Sequence, residues 1–172
     1  MSIMDKLKKN SKSDFTQILA ESKFFTEKDM IPTDVPMMNV ALSGSVEGGL
    51  APGLTVLAGA SKHFKTSFGL IMAAAYLNKY SDAVLLFYDS EFGSPQSYFA
   101  QYGIDPNRVL HTPITNAEEL KFDIISQLEG LDRKDKVCIM IDSIGNLASK
   151  KELDDAISEK SVADMSRAKA LK

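Results

Sequence analysis

Leu54-Thr55-Val56-Leu57-Ala58-Gly59-Ala60-Ser61-Lys62-His63-Phe64-Lys65-Thr66 is the stretch that decides the fold of this 172-residue chain. The continuous apolar run Leu54–Ala58 predicts a short strand buried on both faces. From Thr66 to Tyr80 the pattern predicts a helix. Between them lies a polar loop with the placement of the phosphate-binding motif G-x-x-x-x-G-K-[ST]. Gly59, Ala60, Ser61, Lys62, His63 and Phe64 would supply a nest of backbone N–H groups at a helix N-terminus, which attracts phosphate oxygens. Lys65 would set its ammonium on the β- and γ-phosphates, and Thr66 would ligate Mg²⁺. Phe64 departs from the motif, because the second glycine that belongs there usually permits an unusual backbone conformation. A plain polar turn could use the same residue types, but it does not account for strand, turn, Lys-Thr and apolar helix arriving in that order.

Two further apolar runs end in acid. Ala83–Tyr88 predicts a buried strand closed by Asp89-Ser90-Glu91, and Val137–Ile141 another closed by Asp142-Ser143. Ligands of open α/β sheets bind outside the carboxyl ends of the strands, so both acids are expected at one crevice with the loop. Asp142 would hold the metal through water, and Glu91 would polarise an attacking water as general base. Either acid alone reads better as a turn residue. Three such signals in this order favour nucleotide hydrolysis.

Elsewhere the pattern is strand and helix in alternation, which predicts an α/β fold with a parallel sheet flanked by helices. Pro95–Tyr102 predicts a short helix and Val109–His111 a third strand. Asn116 and Glu119 form a capping box that opens a helix with Leu120, Ile124 and Leu128 on one face. Ser158–Lys172 predicts a last helix. His111 and Cys138 read as core residues, Lys150 and Lys151 as a solvated face, and His63 as loop filler. Residues 54–172 are therefore read as the ATPase-type core. Residues 26–53 are a connector with a short helix at Met37–Leu42, and 1–25 a lysine-rich helical arm. In the arm, Ile3 and Leu7, then Phe15, Ile18 and Leu19, recur at helical spacing. Such short helices cannot bury enough surface alone and are expected to dock.

Composition narrows the classes. An apolar content of 44% supports a real core in one domain. The formal charge of −3 offers no global attraction for nucleic acid, so any DNA contact must be local or come from other segments. One cysteine cannot build a disulfide framework and fits a reducing cytosol. The N-terminus lacks the apolar segment of a secretory signal. The longest apolar stretch, Leu70–Leu77, falls far short of the ~20 residues that span a bilayer, so no membrane partner is expected.

The chain resembles the RecA-type DNA recombinases, most specifically the UvsX family of T-even-like bacteriophages. The resemblance rests on Phe24–Asp29, Val35–Gly44, the Gly59–Thr66 loop, Leu86–Gly93 and Ile141–Lys151. That family also carries Phe before the loop lysine. The resemblance implies an ATP- and Mg²⁺-dependent enzyme that forms helical filaments on single-stranded DNA, pairs it with double-stranded DNA and exchanges strands. Recombination mediator and single-strand-binding proteins would be its partners, and a bacterial host cytosol its location. It further implies that Glu91 activates water, that Tyr98 stacks on adenine, and that Ser143 and Asn146 sense the γ-phosphate. The N-terminal arm would pack on a neighbouring subunit, with Phe24 and Phe25 as anchors. Recombinases of this type are much longer and place a later strand between the loop strand and the Asp142 strand. The chain is therefore expected to be a first portion of such a core with a gap in its sheet. The alternatives are a non-catalytic fragment that docks on recombinase subunits, or another RecA-fold ATPase such as a hexameric helicase.

Overall fold

A computed structural model describes residues 2–22 and 30–157. The chain divides into two compact units, Met1–Pro32 with Pro36–Gly53, and Thr33–Val35 with Leu54–Lys172.

The first unit begins with helix α1, Ile3–Asn10. Its start is fixed by a full capping box: Ser2 Oγ accepts from Asp5 N–H, and the Asp5 carboxylate accepts from Ser2 N–H. Ile3, Met4 and Leu7 are exposed. The second helix expected from Phe15, Ile18 and Leu19 does not form, and only a short 3₁₀ turn covers Leu19–Glu21. The cause is local, because Ser11 Oγ and Ser13 Oγ take the N–H groups of Ser13 and Phe15. Hydroxyls that capture nearby backbone donors compete with a helix. Helix α2 covers Pro36–Ser43. Beyond it Ser43 Oγ accepts from Gly49 N–H, and Ile31 and Leu50 exchange backbone hydrogen bonds. Gly49, at φ 124°, lies so close to the Ile31 carbonyl that a Cβ would meet it at 2.2 Å. Phe24, Phe25 and the expected helix Ser158–Lys172 lie outside the described residues.

The second unit is the α/β body. Helix α3 spans Lys65–Lys79, strand β1 Val84–Asp89, helix α4 Gln96–Gln101 and strand β2 Val109–Pro113. Helix α5 spans Ala117–Glu129, strand β3 Val137–Asp142 and helix α6 Lys150–Ile157. The three strands form one parallel sheet in the order β2-β1-β3, with Asp89 level with Asp142 at its carboxyl end.

Both faces of β1 are buried, as its unbroken apolar run requires. Leu85 and Phe87 pack with Leu70, Ala73 and Leu77 of α3 and Phe99 of α4. Leu86 and Tyr88 pack on the other face with Ile114, Leu120 of α5 and Leu147. A fully buried leucine contributes about 1.5–3 kcal/mol, so Leu70 and Leu77 anchor α3 firmly to the sheet. Burial also pushes the Cys138 thiol up to about 11.

The expected strand Leu54–Ala58 is absent from this sheet. Leu54 and Val56 are 90% and 74% exposed, and no described segment pairs with them. A strand exists only by hydrogen bonding to a neighbour, and apolar content alone cannot supply one. For the same reason β3 is an edge strand rather than a buried one, with Ile139 36% exposed. The capping box also shifts. Asn116 Oδ1 accepts from Glu119 N–H as expected, but Glu119 accepts from Thr115 N–H and Thr115 Oγ1 instead of from Asn116. His111 is no core residue: its side chain is half exposed, stacks on Phe87 and meets Asp89 Oδ2 at 3.3 Å.

Candidate functional site

The loop before α3 reaches the helix through left-handed backbone. Lys62 and Phe64 have φ of 64° and 58°, and Phe64 is the residue before the first turn of α3. Phe64 therefore adopts the conformation that glycine takes freely, at a cost of about 1–2 kcal/mol for a residue with a side chain. No side chain caps α3. The N–H groups of its first turn are therefore available to an anion, and a helix of 15 residues adds a favourable dipole. Lys65 Nζ donates to Ala60 O at 2.8 Å, folding the ammonium over its own loop. His63 Nδ1 lies 2.9 Å from Ser61 O within that loop.

Thr66, next in α3, donates through Oγ1 to Asp142 Oδ2 at 2.5 Å. The two residues are 76 positions apart and come from the loop helix and the last residue of β3. Burial is the first cause that raises the Asp142 carboxyl above the ordinary carboxylate range. The Thr66 hydroxyl opposes it, the Glu91 and Asp89 carboxylates add to it, and Lys65 again opposes it. A divalent cation at this point would relieve the same penalty. Among the described residues no three His, Cys, Asp or Glu side chains gather as a metal cluster. A magnesium ion would thus depend on Thr66, Asp142, water and the phosphates of a nucleotide, which is its usual coordination.

Asp89 and Glu91 divide the work after β1. Asp89 is buried, and its Oδ1 accepts from the N–H groups of Glu91 and Phe92 at 2.9 and 2.7 Å. That turn aims Glu91 away from β1. Glu91 Oε1 accepts from Ser143 Oγ at 3.2 Å and from Asn146 Nδ2 at 3.1 Å, both just beyond β3. Ser90 Oγ donates to Ser143 O and accepts from Ser143 N–H, tying the two strand ends together. The Asp142–Ser143 peptide is cis.

Thr66, Glu91, Ser97, Tyr98, Gln101 and Asp142 line one cleft of about 370 Å³. Tyr98 is half-buried against the α3 core, and its hydroxyl is 2.8 Å from Ser67 Oγ. The cleft thus joins the first turn of α3, the acid of β3, the acid after β1 and the aromatic of α4. Lys65 does not line the cleft, since its ammonium is turned onto Ala60 O, and Asp89 serves the turn rather than the cleft. The sequence does not announce the contact of Ser143 and Asn146 with Glu91. Only the polar residues after Asp142 hinted at it.

An α/β body in which two of three parallel strands end in acids beside an uncapped helix start is the class to which this geometry belongs. Over 170 residues, 99% of its length, the chain is 52% identical to the recombination and repair protein of Enterobacteria phage T4. It spans 44% of that relative's length. An identity of this size over nearly the whole chain makes the two homologues. No protein-family model matches the chain. Among the described residues no helix is long and apolar enough to cross a membrane.

Proposed function

We propose that the chain is the N-terminal, nucleotide-binding portion of an ATP-dependent DNA recombinase of the RecA type. The observation that carries the reading is the Thr66–Asp142 hydrogen bond, which unites the helix after a phosphate-type loop with the acid that ends β3. The name and the identity of the T4 homologue support the role in recombination and repair.

On this reading ATP with Mg²⁺ supplies the phosphoryl group and neutralises its charge when bound. The backbone of Gly59–Phe64 and the first turn of α3 hold phosphate oxygens, and Lys65 leaves Ala60 O to pair with them. Thr66 would ligate the magnesium, and Asp142 would hold it through water. Glu91 orients a water molecule and takes its proton. Tyr98 offers its ring to the base from the wall of the cleft. Single- and double-stranded DNA, the filament, and the mediator and single-strand-binding proteins engage the longer recombinase. Within this chain, α1 is the segment suited to self-association, with Ile3, Met4 and Leu7 outward.

Replacing the gene by a Lys65→Ala allele tests the reading in the organism. Recombination between marked genomes should fall to the level of a deletion. Normal recombination with Lys65→Ala would contradict the proposal.

A further inference from the structure

The Glu91 carboxylate is gripped from one side only. Ser143 Oγ and Asn146 Nδ2 both donate to Oε1, and among the described residues no donor reaches Oε2. The grip is built on fixed parts. Ser143 is bound to Ser90 in both directions, and Leu147, the neighbour of Asn146, is buried in the core between β1 and α5. One residue further, Ala148 O accepts from Ala117 N–H at the start of α5. The backbone that carries both donors is therefore held in place beside Glu91. From its own side, the turn on Asp89 fixes the Glu91 backbone. A long, rotamer-rich side chain is thus held at its backbone and at Oε1, which favours the preorganisation a proton acceptor needs.

From this we infer that Asn146, assisted by Ser143, is a positioning residue for Glu91: it occupies Oε1 and leaves Oε2 as the proton-accepting oxygen facing the cleft. This deepens the proposed function and rests on it for the role of Glu91. It also gives Ser143 and Asn146 a task different from contacting phosphate. Their side chains serve the acid, not the nucleotide.

Two measurements decide the matter, the first on the 172-residue chain and the second on the assembled recombinase. The first follows the carboxyl carbon of Glu91 by NMR in protein labelled at glutamate, with Glu91→Ala identifying the signal. Asn146→Ala and Ser143→Ala should each displace that signal while leaving the other glutamates in place. An unmoved Glu91 signal would overturn the inference. The second is single-turnover ATP hydrolysis with protein in excess. Asn146→Ala should lower the rate about tenfold or more, the size of one lost hydrogen bond to a charged group, with the nucleotide Kd unchanged. In a Glu91→Ala background the same substitution should have no further effect. Loss of affinity in step with rate, or an undiminished effect in that background, would also overturn it. If Glu91→Ala itself leaves the rate unaltered, the base assignment fails, and the NMR measurement still decides whether Asn146 holds Glu91.

Discussion

Thr66 and Asp142 share a hydrogen bond of 2.5 Å although one begins a helix and the other ends a strand 76 residues later. Nothing in local sequence brings them together. The meeting follows from the parallel pairing of β1 with β3 and from the packing of α3 on that sheet through Leu70 and Leu77. Both residues then stand at the carboxyl end, where ligands of such sheets bind.

Asp142 is consequently a charge held where the fold would prefer a neutral group. Its folded pKa is raised above the ordinary aspartate value. Below that value both the folded and unfolded acid are neutral and burial costs nothing. As pH rises through the folded pKa, stability is lost, and the loss persists at neutral pH. Asn at this position keeps an acceptor for Thr66 without the charge. Asp142→Asn should therefore raise the thermal midpoint at neutral pH by on the order of 2 °C or more. Melting curves at neutral pH and near pH 3.8 check this, and the advantage should vanish at the lower pH. An equal advantage at both would show that packing, not charge, is responsible.

Glu91→Gln should retain nucleotide binding and lower hydrolysis by about 10²–10⁴-fold in the assembled recombinase, the usual size of a general-base effect. Phosphate release beside a nucleotide-binding titration separates the two quantities. Unchanged hydrolysis would make Glu91 a turn residue.

Arg108 closes the far end of the same helix. Its guanidinium donates to the carbonyls of Leu77 in the last turn of α3, of Tyr80 at its C-cap and of Ala83 just before β1, at 2.6–3.0 Å. Arg108→Ala should cost about 2–3 kcal/mol in urea unfolding, because a charged donor to several carbonyls is lost at once. A midpoint within error of the unsubstituted chain would contradict that estimate.

What was legible in the sequence divides along physical lines. Val84–Asp89 and Lys65–Lys79 announce themselves because burial on both faces, or on one long stripe, demands apolar runs. Asp142 and Thr66 were legible as members of a spaced motif. Leu54–Ala58 has the composition of a strand, but pairing depends on a neighbour that composition cannot specify. The Ser11 and Ser13 turns that replace a helix near Phe15 depend on side-chain hydrogen bonds too local for periodicity to register. Asn146 was legible only as a polar residue after a strand, since its bond to Glu91 spans 55 residues. Arg108 belongs to the same kind, because its three carbonyls converge only once α3 and β2 are packed.

Calorimetric titration of the chain with ATP and Mg²⁺, beside Lys65→Ala, measures whether the loop before α3 binds nucleotide. Lys65 is the only lysine or arginine adjoining Thr66 at the start of α3, so its removal takes the nearest positive charge from the phosphates. ATP should bind the unsubstituted chain, and Lys65→Ala should weaken it well beyond threefold. That threshold corresponds to ~0.7 kcal/mol, too little for a lost phosphate ion pair. Affinities within threefold of each other, or no binding by the unsubstituted chain at millimolar ATP, would contradict the account.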